Sequence, residues 1–358
     1  MSLNFRYLKY LPIYTIPVFA YISFFGGGVW SYALVLYAFG LVPLLDFLMP
    51  VDPNNLSEAE EALAKNDRFY DFLLYSTVPI QYILLVLFFF AVQQPDISRF
   101  ELVGIVLSFG ICCGGIGINV AHELGHRKTL SEQRLAKMLL LTSLYMHFFI
   151  EHNRAHHKNV ATEDDPATAR HGEIVYFFWF RSVMNSYLSA WHLENERLHH
   201  LGKTMASFQN EMIQYSLIQI AFLGVIYYFF GGFVLSCFVI SAVIGFLLLE
   251  TINYVEHYGL MRRKNEDGIY ERILPVHSWN SEHLIGRILL FELTRHSDHH
   301  FRSTRKYQIL RYFDESPQMP AGYPAMILLS LVPPLWFFVM HRHIKRYKAQ
   351  HPQGAALA

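Results

Sequence analysis

Four stretches of this chain, residues 72–92, 102–120, 212–230 and 233–252, contain no lysine or arginine, and their one acidic residue is Glu250. Each is about as long as the 17–25 residues a helix needs to cross the hydrocarbon core of a bilayer. A backbone in lipid must satisfy its own hydrogen bonds, so such stretches become helices or closed barrels, and runs of this length favour helices. One could be the buried core helix of a soluble domain; four in one chain argue against that. Charged residues make up only 16% of the chain, against about 25% in a typical soluble domain. The fold class read from this pattern is an all-α integral membrane protein.

Residues 11–29 and 32–49 are weaker candidates, interrupted by Gly26, Gly27, Gly28, Pro43 and Asp46, and bring the expected number of transmembrane helices to six. Short links at residues 26–30, 93–99 and 231–232 join the six in hairpin pairs, placing both termini on one side. Of the 29 Lys and Arg, only Arg99 falls in those links, so positive-inside bias puts the termini and the two long polar blocks, 121–211 and 253–321, in the cytoplasm. The apolar segments 135–150, with Lys137 inside it, and 322–340, broken by Pro333 and Pro334, are expected to lie at the interface or against the spans. Residues 1–340 form a single catalytic domain in this reading, followed by a basic, flexible tail over 341–358. The formal net charge is zero, so no attraction to nucleic acid is implied.

Chemistry is written in the histidines, nineteen in all and mostly bunched. Four clusters fall in the polar blocks: His122 and His126; His152, His156 and His157; His257; and His296, His299 and His300. Residues three or four apart on a helix share a face. His122 with His126, His152 with His156, and His296 with His299 and His300 are therefore expected to converge on metal, with His157 serving a neighbouring ion. Nine imidazoles exceed what one ion can bind, and two tetrahedral zinc sites would take about four each. Two ions, at least one of higher coordination number, fit the count; imidazole suits zinc, copper, iron and nickel alike. Nine neutral ligands leave two divalent cations without an anion, and a carboxylate adjoins each cluster: Glu123, Glu151, Glu256 and Asp298. These are expected to orient imidazoles and offset charge from behind the ligands.

Rival readings leave more unexplained. His122-Glu123-Leu-Gly-His126 fits the H-E-x-x-H zinc protease pattern, with Glu123 as base, but seven clustered histidines would then have no role. A metal transporter would need ionisable groups within several spans, and Asp46 and Glu250 lie near span ends. The other ten histidines, among them His147, His199, His200, His277 and His341, lack paired spacing with a carboxylate and are assigned no ligand role. The three cysteines, Cys112, Cys113 and Cys237, have no C-x-x-C spacing and sit in apolar runs, which excludes a thiolate-held cluster.

The order H-x3-H, H-x3-HH, H-x2-HH resembles the membrane di-iron superfamily of desaturases, hydroxylases and monooxygenases. Within it the chain is similar to the bacterial membrane alkane monooxygenases, through His122–His126, Glu151–His157, Asn253–Leu260 and Leu293–His300, with His277-Ser-Trp-Asn280 and Asp164-Asp-Pro-Ala-Thr168 between them. Ala155 stands where that family usually has glycine and Thr294 where it usually has glutamine. The resemblance implies that the nine clustered histidines hold two irons, and that medium-chain n-alkanes are hydroxylated at the terminal carbon using dioxygen. It also implies a bacterial inner-membrane location with the active site toward the cytoplasm, and electrons from rubredoxin, itself reduced by an NADH-dependent reductase. A fatty-acyl or lipid desaturase or hydroxylase with the same centre is the near alternative. Substrates dissolved in the bilayer call for an apolar channel, for which Tyr37, Ala38 and Phe39 are candidates; Arg127, Lys128, Lys158, Arg262 and Arg263 are candidates for docking an acidic electron carrier.

Overall fold

The computed structural model of the protein describes residues 5–351, which are helical with no extended strand. The chain opens with α1 (Arg6–Phe25) and α2 (Gly28–Leu48), then the short α3 (Glu58–Asn66), α4 (Arg68–Ala91) and α5 (Arg99–Gly125). The polar α6 (Leu130–Leu141), α7 (residues 148–159) and α8 (Val175–His200) lead to the longest element, α9 (Glu211–His257). Beyond it lie α10 (Leu284–Leu289), α11 (His296–Phe301), α12 (Tyr323–Ser330) and α13 (Pro333–Gln350). Five of these, α1, α2, α4, α5 and α9, are long and apolar enough to cross a membrane.

The 47 residues of α9 would reach about 70 Å if straight, more than twice the roughly 30 Å hydrocarbon core. They are not straight. Gly231 has φ 80° and ψ 175°, a conformation closed to side-chain-bearing residues. The rings of Phe222 and Phe238 lie 5.5 Å apart, whereas sixteen residues of unbroken helix would hold them about 24 Å apart. The element is therefore two arms, residues 211–230 and 232–257, folded back on each other at one glycine.

Small residues set the packing of α5 against α9. A Cβ at Gly245 would lie 2.5 Å from the Cβ of Cys113, and one at Gly110 would lie 2.5 Å from Cγ2 of Ile244. Such contacts let backbones approach without the hydrophobic drive that water supplies. Because His122 lies in the last turn of α5 and His257 ends α9, this contact fixes two of the four histidine clusters relative to each other. Wide π turns interrupt the helices at Tyr37–Leu41, Cys113–Ile118 and His152–His156.

The C-terminal segments combine expected and unexpected features. Helix breaks at Leu331 and Val332, ahead of Pro333 and Pro334, match the sequence reading. Residues 341–350, expected as flexible tail, instead continue α13, because Trp336, Met340, Ile344 and Tyr347 repeat on one face and are buried against the fold. Residues 352–358 of that tail lie outside the described part of the chain.

Candidate metal centre

All nine clustered histidines meet, and they divide into two groups. His122, His126, His152, His157 and His299 form one, His156, His257, His296 and His300 the other, and within each the ligand atoms lie within 4.8 Å of one another. The division departs from the helical spacing. The π turn over His152–His156 widens that helix by one residue, so His152 and His157 come together, Nε2 to Nε2 at 3.0 Å, and His156 turns to the second group. On α11, His296 pairs with His300 at 2.8 Å while His299 faces His157 at 3.0 Å.

The nitrogen geometry fits metal better than it fits hydrogen bonding. His157 Nε2 lies 3.0–3.1 Å from the Nε2 atoms of His126, His152 and His299, and one ring nitrogen carries at most one proton. Two nitrogens about 2.1 Å from a common ion stand about 3.0 Å apart at a right angle and about 3.4 Å apart at the tetrahedral angle. The observed spacing in the five-histidine group is that of nitrogens gathered around a common ion, closer to the right angle than to the tetrahedral one. His122 Nε2, also in this group, is buried without a protein partner.

Electrostatics keep these rings available as ligands, since metal binds the neutral imidazole. Burial holds His126 down at about 3, and burial reinforced by neighbouring imidazoles holds His152, His157, His296, His299 and His300 well below the usual histidine range. His156 is the exception: burial lowers it too, but the carboxylate of Asp165 outweighs that and raises it.

Asp165 is the residue that sequence reasoning missed. It is buried, faces His156 Nδ1 at 3.0 and 3.1 Å, and is itself fixed by Thr168 Oγ1 at 2.6 Å and Ala167 N at 3.1 Å. Its only signal is the Asp164-Asp-Pro-Ala-Thr168 stretch, which by sequence is no more than part of a family pattern. Of the four carboxylates proposed from sequence, Glu256 is the one that meets an imidazole, its Oε2 lying 3.2 Å from His296 Nε2. That oxygen therefore stands on the nitrogen side of the ring rather than behind it. Glu123 instead pairs with Arg127 at 2.7 Å and accepts from Tyr307 N, which removes it from the role of a protease base. Asp298 accepts from Arg305 and from the Arg311 backbone. Glu151 is buried beside His152, with Oε1 unpartnered.

A six-residue helix such as α11 does not hold itself. Asn280 does much of that work: its Oδ1 accepts from Ser297 N at 2.8 Å and its Nδ2 donates to Ser297 Oγ at 2.7 Å. The His277-Ser-Trp-Asn280 stretch thus anchors the helix bearing three of the nine histidines.

An almost wholly apolar cavity of about 90 Å3 lies between α2, α5, α9 and α12, lined by Tyr37, Ala38 and Phe39 of α2, Gly114 and Gly115 of α5, Ile252 of α9 and Tyr323 of α12, among others; none of the nine histidines lines it. Ile252 lies about 7.5 Å along the helix axis from His257. The basic candidates separate by burial. Arg127 is buried, paired with Glu123 and with Asp71 at 3.1 Å, so its charge is neutralised inside the protein. Arg262 is half-buried and donates to the carbonyls of Glu271 and Lys158, whereas Lys128, Lys158 and Arg263 are exposed.

Residues 100–330 match the family model described as fatty acid desaturase. Alkane 1-monooxygenase 1 of Alcanivorax borkumensis is 41% identical over 87% of this chain and 77% of its own length. The alkane 1-monooxygenase of Pseudomonas putida is 42% identical over the same shares, and alkane 1-monooxygenase 1 of Pseudomonas aeruginosa is 42% identical over 89% of this chain and 84% of its own. With its histidines gathered as they are and that likeness over most of its length, the chain belongs to the fatty acid desaturase family and, within it, to the alkane 1-monooxygenases.

Proposed function

We propose that the protein hydroxylates the terminal carbon of medium-chain n-alkanes, at a pair of irons held by His122, His126, His152, His157 and His299 on one side and His156, His257, His296 and His300 on the other. The observation that carries this reading is the five-and-four division of nine imidazoles. An alkane has no acidic proton and no leaving group, so side-chain acid–base or nucleophilic chemistry has nothing to act on. Bound iron supplies the missing chemistry, activation of dioxygen, with one oxygen atom entering the alkanol and the other leaving as water; redox-inert zinc does not.

The protein's own part is placement. Burial favours the unprotonated form of every ring but His156, which Asp165 raises. Asp165 fixes the ring of His156, and Asn280 holds α11 in register. The cavity, walled by Tyr37, Ala38, Phe39 and Gly115, offers almost no polar surface, so a hydrocarbon would be held there by shape rather than by hydrogen bonds. In this reading α1, α2, α4, α5 and the two arms of α9 make six crossings of a bacterial inner membrane, with the histidine-bearing segments on the cytoplasmic side. Electrons come from a rubredoxin, reduced in turn by an NADH-dependent reductase, docking near Lys128, Lys158 and Arg263.

The test is metal analysis of the protein in detergent, followed by octane turnover with rubredoxin, its reductase and NADH. Two irons per chain and 1-octanol formed only with dioxygen and reductant are expected. One zinc and no oxygen consumption would overturn the proposal. The family model's name favours one second reading, an acyl-lipid desaturase or hydroxylase, which two irons without octanol would bring forward.

A further inference from the structure

By sequence, helix α8 belongs to the cytoplasmic block 121–211, in which Arg181, Ser182, Asn185 and Ser186 interleave with apolar residues. Its outer face says otherwise. Phe177, Phe180, Met184 and Leu188, spaced three or four residues apart, form one stripe, and they are 72%, 74%, 46% and 58% exposed. Arg181 does not interrupt it, because its guanidinium turns inward to Glu173 and to the carbonyls of Pro166 and Thr168. The stripe ends where His192 and Glu196, an exposed pair 3.1 Å apart, take over the same face.

The inner face fixes how the helix lies. Near its start, Trp179 Nε1 donates to Thr251 Oγ1 at 3.0 Å and Ser182 Oγ to Glu250 at 2.5 Å, at the end of the second arm of α9. Near its finish, Glu194 accepts from Glu211 N at 2.7 Å, at the beginning of the first arm. The arms turn back on each other at Gly231, so residues 211 and 250 lie at the same end of the hairpin. A helix about 39 Å long that touches both roots lies across them, transverse to the arms.

We propose that α8 is an in-plane membrane anchor, the stripe from Phe177 to Leu188 seated in the lipid interface and the helix emerging into water from His192 onward. The occupant is the bilayer, because the helix lies across the roots of the two arms that cross it, and exposed apolar residues also mark the chain entering the first arm: Phe208, 87% exposed, and Leu217, 55% exposed. An apolar stripe on a helix of otherwise mixed polarity is the pattern of interfacial helices. The proposal rests on the reading that the arms cross a bilayer; it does not depend on metal or turnover.

The experiment places single nitroxide labels at positions 177, 180, 184, 188 and 196 of the full chain in lipid nanodiscs, one at a time, so that loss of any one stripe variant leaves the comparison intact. The native cysteines are buried and do not compete for label. Collision with oxygen, enriched in lipid, should exceed collision with a water-soluble nickel chelate at the four stripe positions, and the order should reverse at 196. Chelate access along the stripe would overturn the proposal. So would exclusion of both reagents together with dipolar broadening, which would place a second copy of the chain there. Neither result bears on whether alkanes are hydroxylated.

Discussion

At the residue scale, the nine histidines were legible because imidazoles bunched in an otherwise apolar chain point to little besides metal. Which ring belongs to which group was not. Spacing assumes 3.6 residues per turn, which the π turn over His152–His156 breaks, and on α11 it does not tell that His299 faces the other group from His296 and His300. Asp165 escaped for a related reason: it follows His156 by nine residues across a turn, and no periodicity links them. Replacing it, Asp165→Asn, should lower metal affinity of the four-histidine group about 10–100-fold, measured by chelator competition, while the five-histidine group keeps its ion. Protonation gives a second prediction. Free histidine titrates near 6.5, and His126 in the fold is depressed to about 3. For a group lowered on folding, stability is present above the unfolded value and lost as pH falls toward the folded one. The metal-free protein should therefore melt at progressively lower temperature as pH drops below about 6.5. A flat melting profile between pH 7 and pH 5 would contradict this.

At the element scale, length and charge were enough to find the long apolar helices, including the two arms of α9, but not α8 or the helical part of the tail. Both are amphipathic, and average hydropathy does not resolve a helix that buries one face and exposes another. Contacts between elements place the centre. Asn280→Ala removes the anchor of α11 and should cost about 1 kcal/mol, as loss of a helix cap does. Metal content should fall while helicity by circular dichroism stays near wild type. Gly245→Ala places a methyl 2.5 Å from Cys113 Cβ. The strain should destabilise the protein by about 1–3 kcal/mol, read as a lower thermal midpoint in detergent, and should loosen the α5 and α9 contact that aligns His122 with His257.

For the molecule as a whole, the cavity wall offers a test that leaves the metal untouched. A Cβ at Gly115 meets nothing within 4 Å, and the residue lines the apolar cavity, so a larger side chain there has room to grow. Gly115→Leu should shift turnover from longer toward shorter n-alkanes at unchanged iron content, read by competing hexane, octane and dodecane in one vesicle preparation. An unchanged product ratio would remove this cavity from the substrate path.

The distribution of ligands along the chain has a consequence for how the protein is made. The five-histidine group is incomplete without His299, and the four-histidine group without His296 and His300. On the ribosome, every long apolar helix is synthesised before any of these three residues exists. Neither group can reach its full ligand set during synthesis of the membrane helices. Metal loading is thus deferred until the hydrophobic framework is finished, and a message truncated ahead of residue 296 yields an inserted chain with both histidine groups unfinished.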